Sequence, residues 1–250
     1  MKRWAIAVLL LAGCATGPLA PPPKPAAPVT ASACDVAPDA SRPQYIIGYG
    51  SLMQDESRKR SSPQAGEAHP IELQGYRRGW ISRGSSVGFS TIFLGVVQDS
   101  TSHVAAVIYE VDAAEVLATD KRERTYCRGA VPASQVKPLG PVFQLAPDAQ
   151  TWIYVARGPA VQLPNAKYPI VQSYVDVFLS GCLEQEERSG VAGFARECIL
   201  TTSGWSEHWV NDRLYPRRPF VYQPKARQID NLLSKELPQY FGRIKLEPGG

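Results

Sequence analysis

The densest group of reactive side chains in the sequence is Asp120-Lys121-Arg122-Glu123-Arg124-Thr125-Tyr126-Cys127-Arg128. A carboxylate among cations and a phenol can move protons, bind an anion, or simply form the solvated end of a helix. Taken alone, the segment is read as that helix end. The second group is Tyr49-Gly50-Ser51-Leu52, directly after the apolar run Tyr45-Ile46-Ile47. Glycine leaves room for close approach of a ligand to the main chain, and successive backbone N–H groups in such a loop form a small anion-binding concavity. A carboxylate fits there as well as a phosphate does. Ser51 lacks the flanking pattern of a nucleophile elbow, so it is not read as a hydrolase serine.

These groups must be positioned by regular elements. Tyr45–Gly48 reads as a strand that breaks into the glycine loop. Further strands are expected at Ile71–Trp80, Thr91–Val97, Val104–Val111 and Thr151–Val155, the third of these β-branched and buried on both faces. Asp112 with Glu115 three residues on forms a capping-box pattern opening a helix that ends near Glu123. Helical character returns at Pro169–Leu183, Val191–Thr201 and Ile229–Leu237. The expected fold class is α+β, with a small mixed or antiparallel, barrel-like sheet and a helical C-terminal extension.

The order of these motifs resembles the γ-glutamylcyclotransferase superfamily. It rests on a strand ending in Tyr-Gly-Ser-Leu and, after a further strand and helix, D-x-R-E-x-x-Y-x-R. Gly75-Tyr76-Arg77-Arg78-Gly79-Trp80 is similar to the family's Gly-Tyr segment, and Thr91–Tyr109 to its paired strands. The resemblance covers residues 44 to about 156. It implies cleavage of a γ-glutamyl amide by attack of the substrate's own α-amine on its γ-carbonyl, giving 5-oxoproline and a free amine, without metal or cofactor. Glu123 is then the acid/base. The loop of Tyr49, Gly50, Ser51 and Leu52 holds the substrate's α-carboxylate, and Tyr126 donates a hydrogen bond to substrate or to Glu123. Arg122 and Arg128 are structural or add positive potential. Arg124 and Thr125 stand where glutathione-specific members tend to have glycines, which argues against glutathione. The alternative is a non-catalytic envelope lipoprotein that binds a ligand or partner through the same pocket. Trp205-Ser206-Glu207-His208-Trp209 and Arg213–Arg218 are read as a packing surface, with a pocket wall as the sharper option.

The N-terminus carries its own signal. Lys2 and Arg3 precede the apolar run Trp4–Leu11, too short to span a bilayer core of roughly 30 Å, and Leu11-Ala12-Gly13-Cys14 follows. This resembles a bacterial lipobox, implying cleavage before Cys14, lipidation of Cys14 and an outer-membrane address facing the periplasm. The expected organisation is a signal peptide at 1–14, a Pro/Ala-rich linker at 15–43, the catalytic core at 44–158 and the helical extension at 159–250. The net charge of +4 falls to +2 without Lys2 and Arg3, and no basic stripe is visible, so nucleic acid is excluded as a partner. The partners expected are a small γ-glutamyl substrate and the membrane, with the protein itself monomeric. In an oxidising compartment Cys34, Cys127, Cys182 and Cys198 form disulfides in one of three connectivities, Cys182 with Cys198 being one way to tie two helices. The three histidines lie far apart and no Cys-x-x-Cys occurs, so metal ligation has no support.

Overall fold

Five residues, Gln44–Gly48, form strand β1, and all five are buried. Such a short apolar strand is stable only between two others, and it has them. In the computed structural model, which describes residues 34, 36–84, 90–140, 143–156, 162–217 and 225–247, β1 pairs antiparallel with β3 (Thr91–Val111) and parallel with β6 (Gln150–Ala156). Ile47 sits opposite Ile108 on one side and Ile153 on the other. β3 pairs in turn with β2 (His69–Gly84), which also takes β5 (Val136–Pro138) and β8 (Thr202–Ser203); β6 takes β4 (Tyr126–Ala130). The sheet order is β4-β6-β1-β3-β2-β5, with β8 branching from β2. The sheet is mixed, mostly antiparallel and open.

The two strands expected at Thr91–Val97 and Val104–Val111 are one long strand, β3. Its hairpin partner β2 shifts register between Gln74 and Tyr76 and again between Trp80 and Ser82. Gly75 lies at the first shift with φ +80, a conformation that only glycine adopts readily, so this glycine is needed for the bend.

The helices are α1 (Asp55–Lys59), α2 (Ala113–Arg122), α3 (Gln172–Ser189), α4 (Phe194–Leu200), α5 (Ala226–Glu236) and α6 (Pro238–Phe241). The capping box of α2 forms as expected. Asp112 accepts from the Glu115 backbone N–H at 2.7 Å, and Glu115 accepts from that of Asp112 at 3.3 Å. In α3 the residues from Gln172 to Cys182 are all buried. Gly181 is required there: a Cβ would lie 2.5 Å from the Gln54 nitrogen, so glycine lets the loop after β1 rest on the helix backbone. A small second sheet of β7 (Ile170–Val171), β9 (Trp209–Asn211) and β10 (Lys245–Leu246) closes the chain. One apolar core runs from Ile46 and Ile108 in the large sheet to Phe178, Ile199 and Leu233 in the helices.

Cys34 and residues 36–43, the last part of the stretch expected to be a spacer, lie against the large sheet. Cys34 is disulfide-bonded to Cys127 in β4, and the Val36 carbonyl accepts from Arg128 at 2.7 Å. The pairing of Cys182 with Cys198 is corrected: both are free, buried thiols. Cys14, the rest of the signal peptide and most of the linker lie outside the described residues. Among the described residues no helix is long and apolar enough to cross a membrane, and no group of three or more His, Cys, Asp or Glu could hold a metal ion.

Candidate active site

The strand order brings the two sequence motifs together. β1 ends at Gly48 and releases the Tyr49–Leu52 loop beside the end of β6, where the Tyr49 hydroxyl donates to the Tyr154 carbonyl at 2.5 Å. On the other side of β6, β4 pairs Tyr126 with Ala156 and Arg128 with Tyr154. Glu123, the residue that caps the C-terminus of α2, lies just before Arg124, Thr125 and the start of β4, and it faces the same loop.

Tyr49, Gly50, Ser51, Leu52, Leu94, Glu123, Tyr126, Tyr154 and Tyr174 line a recess of about 20 Å³. It adjoins a wider chamber of about 450 Å³, with which it shares Ser51, Glu123, Tyr126 and Tyr174. The recess has room for one small group, on the scale of a water or the oxygens of a carboxylate. Gly50 is needed sterically, since a Cβ there would lie 2.9 Å from the Tyr174 hydroxyl oxygen. Among the described residues, the loop's internal bonding is limited to Met53 N–H donating to the Gly50 carbonyl at 3.0 Å. The N–H groups of Gly50, Ser51 and Leu52 have no acceptor among the described residues, as expected at the start of the one-turn 3-10 helix Ser51–Met53.

Two buried arginines hold the loop's carbonyls from behind. Arg78, 0 % exposed, donates to the carbonyls of Tyr49 at 2.9 Å, Ala105 at 2.8 Å and Cys198 at 2.5 Å. It also donates to the hydroxyls of Thr202 at 2.7 Å and Thr201 at 3.1 Å, and stacks over Phe178. Arg58 donates to the carbonyls of Leu52 at 3.3 Å and Met53 at 3.2 Å, and pairs with Asp55 at 2.5 Å. With carbonyls drawn toward two guanidinium groups, the loop keeps its positive N–H ends for the recess. Burial pulls both arginines below their usual pKa, opposed at Arg78 mainly by the cysteines nearby and at Arg58 by Tyr109 and Asp55.

The polar residues of D-x-R-E-x-x-Y-x-R divide by position. Asp120 accepts from Arg128 at 2.9 Å and from the Tyr154 hydroxyl at 2.8 Å. Arg128 is buried over the Trp152 ring at 4.3 Å, outside both cavities, so it is structural. Arg122 ties the end of α2 to the other motif, donating to the Ser57 carbonyl at 2.5 Å, the Ser57 hydroxyl at 3.0 Å and the Ser51 hydroxyl at 3.2 Å. It also pairs with Glu123 at 3.1 Å. Tyr126 donates its hydroxyl proton to the Leu94 carbonyl at 3.0 Å, and not, as expected, to Glu123 or the substrate position. Glu123, with its side chain 16 % exposed, is the carboxylate that reaches both cavities. Burial, and then the charges of Tyr126 and Glu123, raise the Tyr49 phenol well above its usual range, so it stays protonated and keeps its bond to Tyr154.

Sequence reasoning missed Tyr174, Phe93, Ser82 and Arg83 as lining residues. Tyr174 comes from α3 and is packed edge-on between Phe93 and Trp80. Trp205 and Trp209 stack at 5.2 Å and support Trp80 from beneath. They are core, as expected, and not a pocket wall. Arg213 is likewise structural, bound to Asp176 at 2.7 Å and Asp230 at 2.8 Å.

No family model matches the chain, and no curated protein matches it. Solved structures with a similar fold include a γ-glutamyl cyclotransferase, 12 % identical, with 78 % of this chain and 99 % of that chain covered at a TM-score of 0.47. Another is a yeast γ-glutamyl cyclotransferase specific to glutathione, 10 % identical, covering 64 % and 97 % at 0.39. YkqA from Bacillus subtilis is 17 % identical, covering 63 % of this chain and 53 % of that one at 0.45. Two of these three are γ-glutamyl cyclotransferases; at such identities and TM-scores the likeness assigns no residue of this chain a role.

Proposed function

We propose that the protein is a cyclotransferase that cleaves small γ-glutamyl peptides or amines to 5-oxoproline and a free amine. One observation carries this reading: Glu123 and the loop of Gly50, Ser51 and Leu52, whose N–H groups find no acceptor among the described residues, line the same small recess. A γ-glutamyl group offers an α-carboxylate for those N–H groups and, one carbon away, an α-amine for a base. The α-carboxylate docks on the loop, which folds the glutamyl chain back so that its amine approaches its own γ-carbonyl. Holding a nucleophile in such a near-attack shape contributes several kcal/mol.

Glu123 takes a proton from the α-amine, and the C–N bond of the five-membered ring forms. The tetrahedral centre then collapses, the original γ-amide C–N bond breaks, and Glu123 returns the proton to the leaving amine. Protons balance and the enzyme ends unchanged. The 450 Å³ chamber that shares Glu123 with the recess accepts the leaving group.

The export and anchoring read from Lys2 to Cys14 belong to the same proposal, supported by the Cys34–Cys127 disulfide, a bond typical of oxidising compartments. Cell fractionation tests that part: native chain in the membrane and Cys14→Ser in the soluble fraction support it, and equal distribution contradicts it. The chemistry is tested by incubating purified protein with γ-glutamyl dipeptides and γ-glutamylamines and identifying the glutamyl product by mass spectrometry. 5-Oxoproline supports intramolecular attack. Free glutamate would mean hydrolysis, and no product from folded protein would favour a binding lipoprotein.

A further inference from the structure

The chamber beside the recess is unevenly charged. Arg83, Arg122, Arg124 and Glu123 are its ionisable lining residues apart from the tyrosines, with Ser51, Ser82, Thr125, Phe93, Tyr126 and Tyr174 among the rest. Arg122 is taken by Glu123 and by the serines of the loop and α1. Arg83 and Arg124 have no carboxylate within ion-pair distance among the described residues. Arg83 is steadied by the Tyr168 ring, 4.7 Å from its guanidinium carbon. The lining therefore carries an excess of two positive charges, both on exposed arginines. A γ-glutamyl group arrives as a zwitterion that cancels none of it, because its α-ammonium and α-carboxylate sum to zero before the amine is freed for attack.

Resting on the cyclotransferase reading, we propose that the enzyme selects γ-glutamyl compounds whose leaving amine carries two carboxylates, and that Arg83 and Arg124 are the residues that select them. The α-carboxylate of the glutamyl group goes to the recess and the γ-carbonyl lies at Glu123. The leaving group is thereby directed into the chamber, between the guanidinium groups and alongside Phe93 and Tyr174. A neutral amine fits the same volume but leaves both cations without a carboxylate.

Exposed ion pairs are worth about a twofold to fivefold change each, so two together give a preference of about tenfold. The test compares kcat/KM for γ-glutamyl-aspartate and γ-glutamyl-alaninamide, which differ chiefly in the two leaving-group charges. Measurements are made on the native protein, Arg83→Gln, Arg124→Gln and the double variant. The expected result is about a tenfold preference for the aspartate compound, carried in KM, reduced in each single variant and falling to about one in the double variant. High salt weakens the same preference. Equal kcat/KM for the two substrates, or a preference that survives in the double variant, overturns the proposal.

Calorimetric binding of both dipeptides to native and double-variant protein separates this from the cyclotransferase reading. If nothing is turned over, tighter binding of the aspartate compound that disappears in the double variant still supports the chamber's selectivity. Equal binding, or none, refutes it.

Discussion

Arg78 is the residue whose removal most directly tests how the loop is held. Arg78→Met keeps much of the buried volume and the contact with Phe178 while deleting every donor. Not all five oxygen acceptors are then orphaned. The Cys198 carbonyl keeps the Thr202 hydroxyl at 2.6 Å, and the Thr201 hydroxyl keeps the Ala105 N–H at 3.2 Å. The Tyr49 and Ala105 carbonyls lose the guanidinium, and an unmet buried acceptor costs about 1–3 kcal/mol. Part of that is returned because a charge is no longer buried. The expected net destabilisation is about 2–4 kcal/mol, a fall in Tm of about 4–16 °C for a domain of this size. Urea unfolding followed by circular dichroism gives the first number and a thermal scan the second. Below the transition, kcat/KM falls as well, because the Tyr49 carbonyl is free to turn toward the recess. Arg78→Lys keeps the charge, yet one ammonium cannot serve the loop, β3 and the end of α4 at once, so it rescues only part of either loss. A stability change within about 0.5 kcal/mol, together with native kcat/KM, would refute the clamp.

Gly50→Ala drives a Cβ against the Tyr174 hydroxyl, so KM is expected to rise about tenfold or more with the fold intact; an unchanged KM contradicts a role for the recess in binding. The Cys34–Cys127 bond spans a sequence separation of 93, for which the loop-entropy model gives about 4–5 kcal/mol. Reduction, or Cys34→Ser, should therefore lower Tm by about 10 °C, and no shift would mean the tie adds nothing to stability. Burial, first among the causes, raises the pKa of Tyr49, Tyr109 and Tyr154, with Asp120 adding to it at Tyr154. Because the folded values lie above the unfolded ones, this stability is complete below about pH 10 and is lost as the pH rises further. These phenols should ionise only together with loss of the circular dichroism signal; reversible ionisation in the native state near pH 10 would be against it.

The elements that carry the site were legible where local chemistry decides them. The capping box of Asp112 and Glu115 and the apolar strand before Gly48 each leave a mark within a few residues, whereas the bend at Gly75 lies inside a strand expected to run unbroken from Ile71 to Trp80. The short strand β4 left none, because Tyr126–Ala130 is a strand through pairing with β6, far away in sequence. For the same reason the partner of Cys127 could not be chosen among the cysteines. Arg78 and Arg58 look like surface residues in a sequence, and only the three-dimensional arrangement supplies the carbonyls that make their burial tolerable. Tyr174 was out of reach too: its place in the site depends on α3 packing against the loop at Gly181. Glu123 was picked out by a motif, and its neighbours Arg122 and Arg128, alike in sequence, were separated by geometry into a cavity residue and a core residue.

The central claim is that Glu123 moves the protons of an intramolecular cyclisation, and Glu123→Gln tests it most directly. The native protein and the variant are given the best γ-glutamyl substrate, and 5-oxoproline is quantified alongside substrate affinity. General acid–base catalysis is worth about 10²–10⁴-fold. The expected result is a fall in kcat of that size, with substrate binding nearly retained and the fold unchanged by circular dichroism. A variant that forms 5-oxoproline at the native rate would contradict the assignment.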